Sequence, residues 1–195
     1  IHHVGTAPGE GQVMKACLQS IIGSIFSATF EAAALAAKAG VSGQALYNVV
    51  STSGAGCGIT KTALENIIDR QFEGTGSGIG TMHKDLTISL DMAEEMGVPL
   101  FTAATAMQIF HQGKTKYPHG DNWICTRIME DIVGAELQFV GEKEVGDHDA
   151  GEIREIDALL RDRGKPVSCL SRHIFAGTTI ANKAGDELHT KHMMH

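Results

Sequence analysis

Lys15 and Gln19 lie four residues apart in GEGQVMKACLQ, residues 9–19, so on a helix the ammonium and the amide share one face. An amine that can exchange a proton, beside an amide that can hold a hydroxyl or carboxylate, suits chemistry on a small polar substrate. The positive end of the helix dipole disfavours a cation there, and partial burial would add to that effect, favouring proton exchange near neutral pH. The bland alternative is a lysine snorkelling at a helix end beside a solvated glutamine. A second constellation is Lys84–Asp85, which follows Gly74, Gly76, Gly78 and Gly80. This reads as a flexible, unobstructed loop that delivers a lysine into a helix start, with Asp85 a favourable first-turn acid. Ser51, Ser53 and Gly54 sit in a further loop and are weaker candidates to line a cleft.

The glycine pair at Gly9 and Gly11 also raises a dinucleotide-binding fingerprint. That motif needs a preceding strand, a third glycine and an acid after a second strand. Met14 occupies the third glycine position, only eight residues precede Gly9, and a long helix follows instead of a strand. The match to a phosphate-cradling loop is poor, so the lysine carries the interest.

The elements that must hold these residues are helical. From Gly11 to Ala39 no proline interrupts an Ala-, Ile-, Leu- and Phe-rich run, which predicts one long helix buried on most sides, roughly 43 Å in length. Lys15, Glu31 and Lys38 break the run, which argues against a membrane span. Gly40 is placed to end this helix and Ser42 to cap a short one through Val50. STSGAGCG, residues 51–58, reads as a loop, and a helix is expected over 60–69. Met82, Leu86, Leu90 and Ala93 have helical spacing in a segment that ends at Gly97. Pro99 is placed to open another helix through about Gln112, and Trp123–Leu137 forms a last amphipathic one. Trp123 and Phe110 read as core or dimer contacts. Period-two alternation is not convincing anywhere, and the expected class is all-α.

Composition narrows the function classes. The net charge of −7 opposes general affinity for nucleic acid or anionic membranes. Cys17, Cys57, Cys125 and Cys169 are scattered, as reduced thiols of a cytoplasmic protein would be. No leader peptide is visible, and the first residue, Ile1, suggests that something upstream has been removed. Residues 138–195 differ in character: a charged, glycine-rich linker, one short amphipathic stretch, and a tail ending in His189, His192 and His195.

Residues 9–40 resemble the start of the C-terminal domain of the β-hydroxyacid dehydrogenases, a family that includes 3-hydroxyisobutyrate, tartronate semialdehyde and L-threonate enzymes. Gly9, Gly11, Lys15, Glu31 and Ala32 fit the family's G-x-G-x-x-x-K motif and the later Glu-Ala. HKDLTISLDMAEEMGVPL, residues 83–100, is similar to its K-D-L segment, and GDN at 120–122 more weakly to its G-x-D. The resemblance covers about residues 4–137. It implies an all-helical substrate and dimerisation domain over 1–137, of the 6-phosphogluconate-dehydrogenase-like type, built around the long buried helix of about 11–39. The N-terminal Rossmann domain would be absent from this chain, and NAD or NADP would be bound mainly by that absent domain. Lys15 matches the catalytic lysine. Gln19, where Asn is usual, and Gly11 match substrate-binding positions, and Lys84 and Asp85 match the cofactor side; no metal is implied. The expected function is the substrate-binding and catalytic-lysine domain of an NAD(P)-dependent oxidoreductase for a short 3-hydroxy acid or sugar acid. It would be inactive without its nucleotide domain and would form a homodimer.

Two other classes remain open at this stage. One is a non-catalytic helical oligomerisation domain, against which Lys15, Gln19 and Lys84 stand. The other is a metal-binding protein using His2–His3 and the histidines at 189, 192 and 195; none of these has a cysteine or carboxylate at ligand spacing.

Overall fold

The structure, a computed structural model, describes residues 2–138; of the expected linker and tail over 138–195, all but the first residue, with the histidines at 189, 192 and 195, lies outside the described residues. Among the described residues six α-helices follow in order: α1 Glu10–Lys38, α2 Gly43–Thr52, α3 Gly58–Ile68, α4 Ile79–Glu95, α5 Phe101–Lys116 and α6 Thr126–Val133. A 3-10 turn, Asn122–Cys125, leads into α6. Among the described residues there is no strand, only an isolated antiparallel bridge between Gly78 and Asp121.

The C-terminal half of α1 is the axis of the molecule, packed by α3, α4, α5 and α6, while α2 lies mainly on α3. Its inward face carries Phe26 and Phe30, stacked at 5.9 Å between ring centroids, and Phe110 and Trp123 meet them edge-on at 6.1–6.4 Å. Such aromatic contacts contribute about 1 kcal/mol each beyond the area they bury. Leu64, Ile67, Ile79 and Leu86 complete a core in which each is essentially inaccessible. Phe110 and Trp123 are therefore core residues. By length and composition α1 is apolar enough to cross a membrane, yet its second half is a packed core helix here.

Local signals explain the helix ends. Gly40 takes a left-handed φ of 73°, and Val41 N–H reaches back to the carbonyl of Ala36 at 2.9 Å, closing α1. Ser42 Oγ accepts from Ala45 N–H at 3.2 Å and caps α2 as its position predicts. Two boundaries differ from expectation. α5 starts at Phe101 and runs to Lys116, so Pro99 precedes the helix and does not open it. The expected helix from Trp123 to Leu137 is instead the 3-10 turn plus α6, stopped at Gly134, whose φ is 67°.

The description of α1 as one long buried helix needs correction. Val13, Met14, Leu18 and Ile21 are exposed, and burial becomes dense only from Gly23 onward. The physical reason is coverage. Early in α1, it is α4 that supplies a close neighbour, at Ala16 and Gly23.

The α1–α4 crossing is set by Gly23. A Cβ there would lie 2.8 and 3.0 Å from the two terminal methyls of Leu86, which is itself fully buried. One turn further along α4, Ser89 Oγ–H is shared between the carbonyls of Ala16, 3.0 Å away on α1, and Asp85, 2.9 Å away. Replacing Gly23 by isoleucine should therefore lower stability by about 2 kcal/mol through overpacking, measured as a reduced urea midpoint; an unchanged midpoint would mean the crossing is looser than this contact requires.

Candidate functional site

Lys15, Lys84 and Asp85 come together where α1 and α4 cross. Lys15 Nζ lies 3.5 Å from Asp85 Oδ2, and Lys84 Nζ lies 2.6 Å from Oδ1, close but off the hydrogen-bond direction. The exposures are the telling feature: the Asp85 side chain is 4% exposed, whereas those of Lys15 and Lys84 are 60% and 59% exposed. A buried carboxylate thus holds two ammonium groups at the surface.

Burial opposes ionisation of Asp85, but the ammonium of Lys84, the nearer of the two, and then that of Lys15 outweigh it and hold the carboxyl below the ordinary carboxylate range. A carboxylate whose value is depressed on folding contributes stability above its unfolded value, and that contribution is lost as pH falls through the folded value.

The positions of these residues correct the local expectations. Lys15 is exposed, not partly buried as the helix reading expected. Lys84 and Asp85 sit in the second turn of α4, because the helix begins at Ile79. The glycine-rich loop before it is pinned. Asp121, 3% exposed, accepts from Thr75 N–H at 2.8 Å and from Thr75 Oγ1 at 2.7 Å. Asn122 Nδ2 donates to Ser77 Oγ at 2.9 Å, and Ile79 N–H donates to the Gly120 carbonyl at 2.9 Å. Gly74 and Gly76, at φ of 80° and 85°, supply the left-handed backbone that the loop needs. The GDN stretch is therefore the bracket that fixes where α4 starts. Sequence reasoning missed that role; the signal available was an Asp-Asn pair just ahead of an apolar run, with a loop of small polar residues to satisfy.

Gln19 is half-buried on the face of α1 that carries Lys15, and its Oε1 has no partner among the described residues. Gly11 lies exposed in the first turn of α1, with no heavy atom within 4 Å of where a Cβ would sit. Gly54 is not with this cluster. It lines an apolar cavity of about 390 Å³ with Ile25, Ala32, Leu64 and Cys57, beginning ten residues along α1 from Lys15, or roughly 15 Å. Cys17, Cys57 and Cys125 are free thiols; burial pushes that of Cys125 up to about 12. Among the described residues no group of three or more His, Cys, Asp or Glu side chains is placed to hold a metal.

The chain belongs to the family described as the NAD-binding domain of NADP-dependent 3-hydroxyisobutyrate dehydrogenase, whose profile matches residues 9–127. It is 29% identical over 133 residues to L-threonate dehydrogenase of Escherichia coli K12, covering 68% of this chain and 44% of that one. It is 30% identical over 139 residues to 2-(hydroxymethyl)glutarate dehydrogenase of Eubacterium barkeri, covering 70% and 46%. Among solved structures it resembles 3-hydroxyisobutyrate dehydrogenase of Salmonella typhimurium with a TM-score of 0.62 and 26% identity, over 65% of this chain and 45% of that one. The chain thus spans less than half the length of these relatives.

The family match overturns three expectations. NAD binding is assigned to residues 9–127, so the fold class cannot be framed by a nucleotide-binding domain that is absent from this chain, nor can the cofactor be said to be bound mainly elsewhere. The function expected of a substrate-binding and catalytic-lysine domain, inactive for want of a nucleotide-binding domain, is corrected for the same reason. What misled the sequence reading was equating nucleotide binding with a glycine fingerprint after a strand. A helical surface that presents two ammonium groups from a buried carboxylate also suits an anionic dinucleotide.

If Asp85 is ionised through these contacts, Asp85→Asn should flatten the fall in stability below about pH 4, where the unfolded carboxyl begins to protonate. Thermal melts from pH 2 to pH 7 measure this; parallel curves for the two proteins would remove Asp85 from the ion cluster.

Proposed function

We propose that residues 9–127 hold NAD or NADP for the oxidation of a small hydroxy acid, with Asp85 assembling the site. The observation that carries this reading is the buried Asp85 carboxylate between two exposed ammonium groups from two different helices. The open first turn of α1 at Gly11, and the names of the relatives, all dehydrogenases of small hydroxy acids, support it.

In this reading each residue has a separate task. Lys84 binds the negatively charged cofactor and Asp85 fixes its direction. NAD(P), when bound, supplies the hydride acceptor. Lys15, once its exposed ammonium has given a proton to water, takes the proton of the substrate hydroxyl as a neutral amine. Gln19, one turn further along α1, is the substrate-side amide, and Gly11 leaves room for close approach. A homodimer belongs to the same proposal, supported by the exposed Leu18, Ile21 and Phe101 side chains.

Two measurements test it. Titration with NADH and NADPH, followed by nicotinamide fluorescence, should give saturable binding that Lys84→Ala weakens about tenfold, the equivalent of losing one charge-assisted contact; equal affinities would sink the cofactor role of Lys84. In steady-state oxidation of L-threonate or 3-hydroxyisobutyrate, Lys15→Ala should lower kcat by about 10²–10⁴, the usual worth of a positioned proton-transfer group, with NADH affinity unchanged. Full turnover by that variant would show that Lys15 moves no proton.

A further inference from the structure

We propose that His83 and His111 form a binding site for one divalent first-row transition ion of the zinc–copper class. His83 stands on α4 and His111 on α5, two helices that pack against each other. Nε2 of His83 lies 3.1 Å from Nδ1 of His111, with ring centroids 5.4 Å apart and planes inclined by 32°. Two nitrogens at that separation, each about 2.05 Å from a metal, subtend an angle of about 98°. That falls between the square-planar and tetrahedral angles that copper and zinc favour.

The protonation states suit the same ligand set. In the present pair one nitrogen donates a hydrogen bond to the other, so one ring must shift its proton to its second nitrogen before both offer lone pairs. That is a tautomer change, joined by a turn of both rings that brings their lone pairs off the N–N line onto a common point, with no net proton loss. His111 is exposed and His83 half-buried, which leaves the outer coordination positions open to water. The ammonium of Lys114 opposes a bound cation, and the described residues supply no third carboxylate, thiolate or imidazole ligand. The site is accordingly an exchangeable one, not a structural clamp.

The proposal is independent of the dehydrogenase reading, because its test needs no turnover. Zn²⁺ is titrated into the whole chain at pH 7.5 by calorimetry, with exposed His119→Asn as the control for the other histidines. His83→Asn and His111→Asn should each lose one zinc equivalent or weaken it at least tenfold, His119→Asn should not, and Lys114→Gln should tighten it about fivefold. Isotherms unchanged by either substitution would overturn the site and leave an imidazole hydrogen bond only. Cu²⁺ added below one equivalent to the unaltered protein gives a check free of folding effects. The His83 and His111 imidazole resonances should broaden together, and broadening that spares them would refute the assignment.

Discussion

The contact of Gly23 with Leu86 governs how near α1 and α4 can come, and most of the chemistry depends on that distance. A side chain at position 23 would meet a leucine that has no room to retreat. With the two backbones close, the Ser89 hydroxyl can span from α4 to the Ala16 carbonyl. The same approach brings a carboxylate on one helix to an ammonium on the other. Packing and electrostatics are consequently one arrangement: the first brings the charges to contact distance, and the second orients them outward.

The charge geometry also explains how a chain of net charge −7 can present a cationic spot. Each lysine alone would be a mobile surface group worth little. Fixing both to a single buried carboxylate restricts their reach, so the field they produce has a direction. The net charge of the whole chain suits repulsion of polyanions, while the local field suits a small one.

Much of the helix order was legible in the sequence because the stop and start signals act locally. Gly40 and Ser42 behave as their types dictate, since αL backbone and a hydroxyl cap need no distant partner. Pro99 and the final helix misled for the opposite reason. Whether a proline opens a helix, or an amphipathic run persists past Gly134, is decided by what the flanking chain packs against. At the site, Lys15, Lys84 and Asp85 could be singled out from their motifs, but their meeting could not be seen without the crossing angle. The exposed N-terminal half of α1 was equally hidden: apolar composition says that a helix wants cover, not which part of it receives any. Residues 120–122 were noticed only as a weak likeness, because their hydrogen bonds join positions some 45 residues apart.

That long-range bracket has a consequence for the order in which the molecule is made. Thr75, Ser77 and Ile79 find their hydrogen-bond partners at Asp121, Asn122 and Gly120. During synthesis on the ribosome the first turn of α4 emerges well before those partners do, and α5 intervenes. The end of α4 that carries Lys84 and Asp85 is therefore held open at its start until the chain has grown past position 122. A nascent chain halted earlier would contain both lysines and the carboxylate without the frame that aims them.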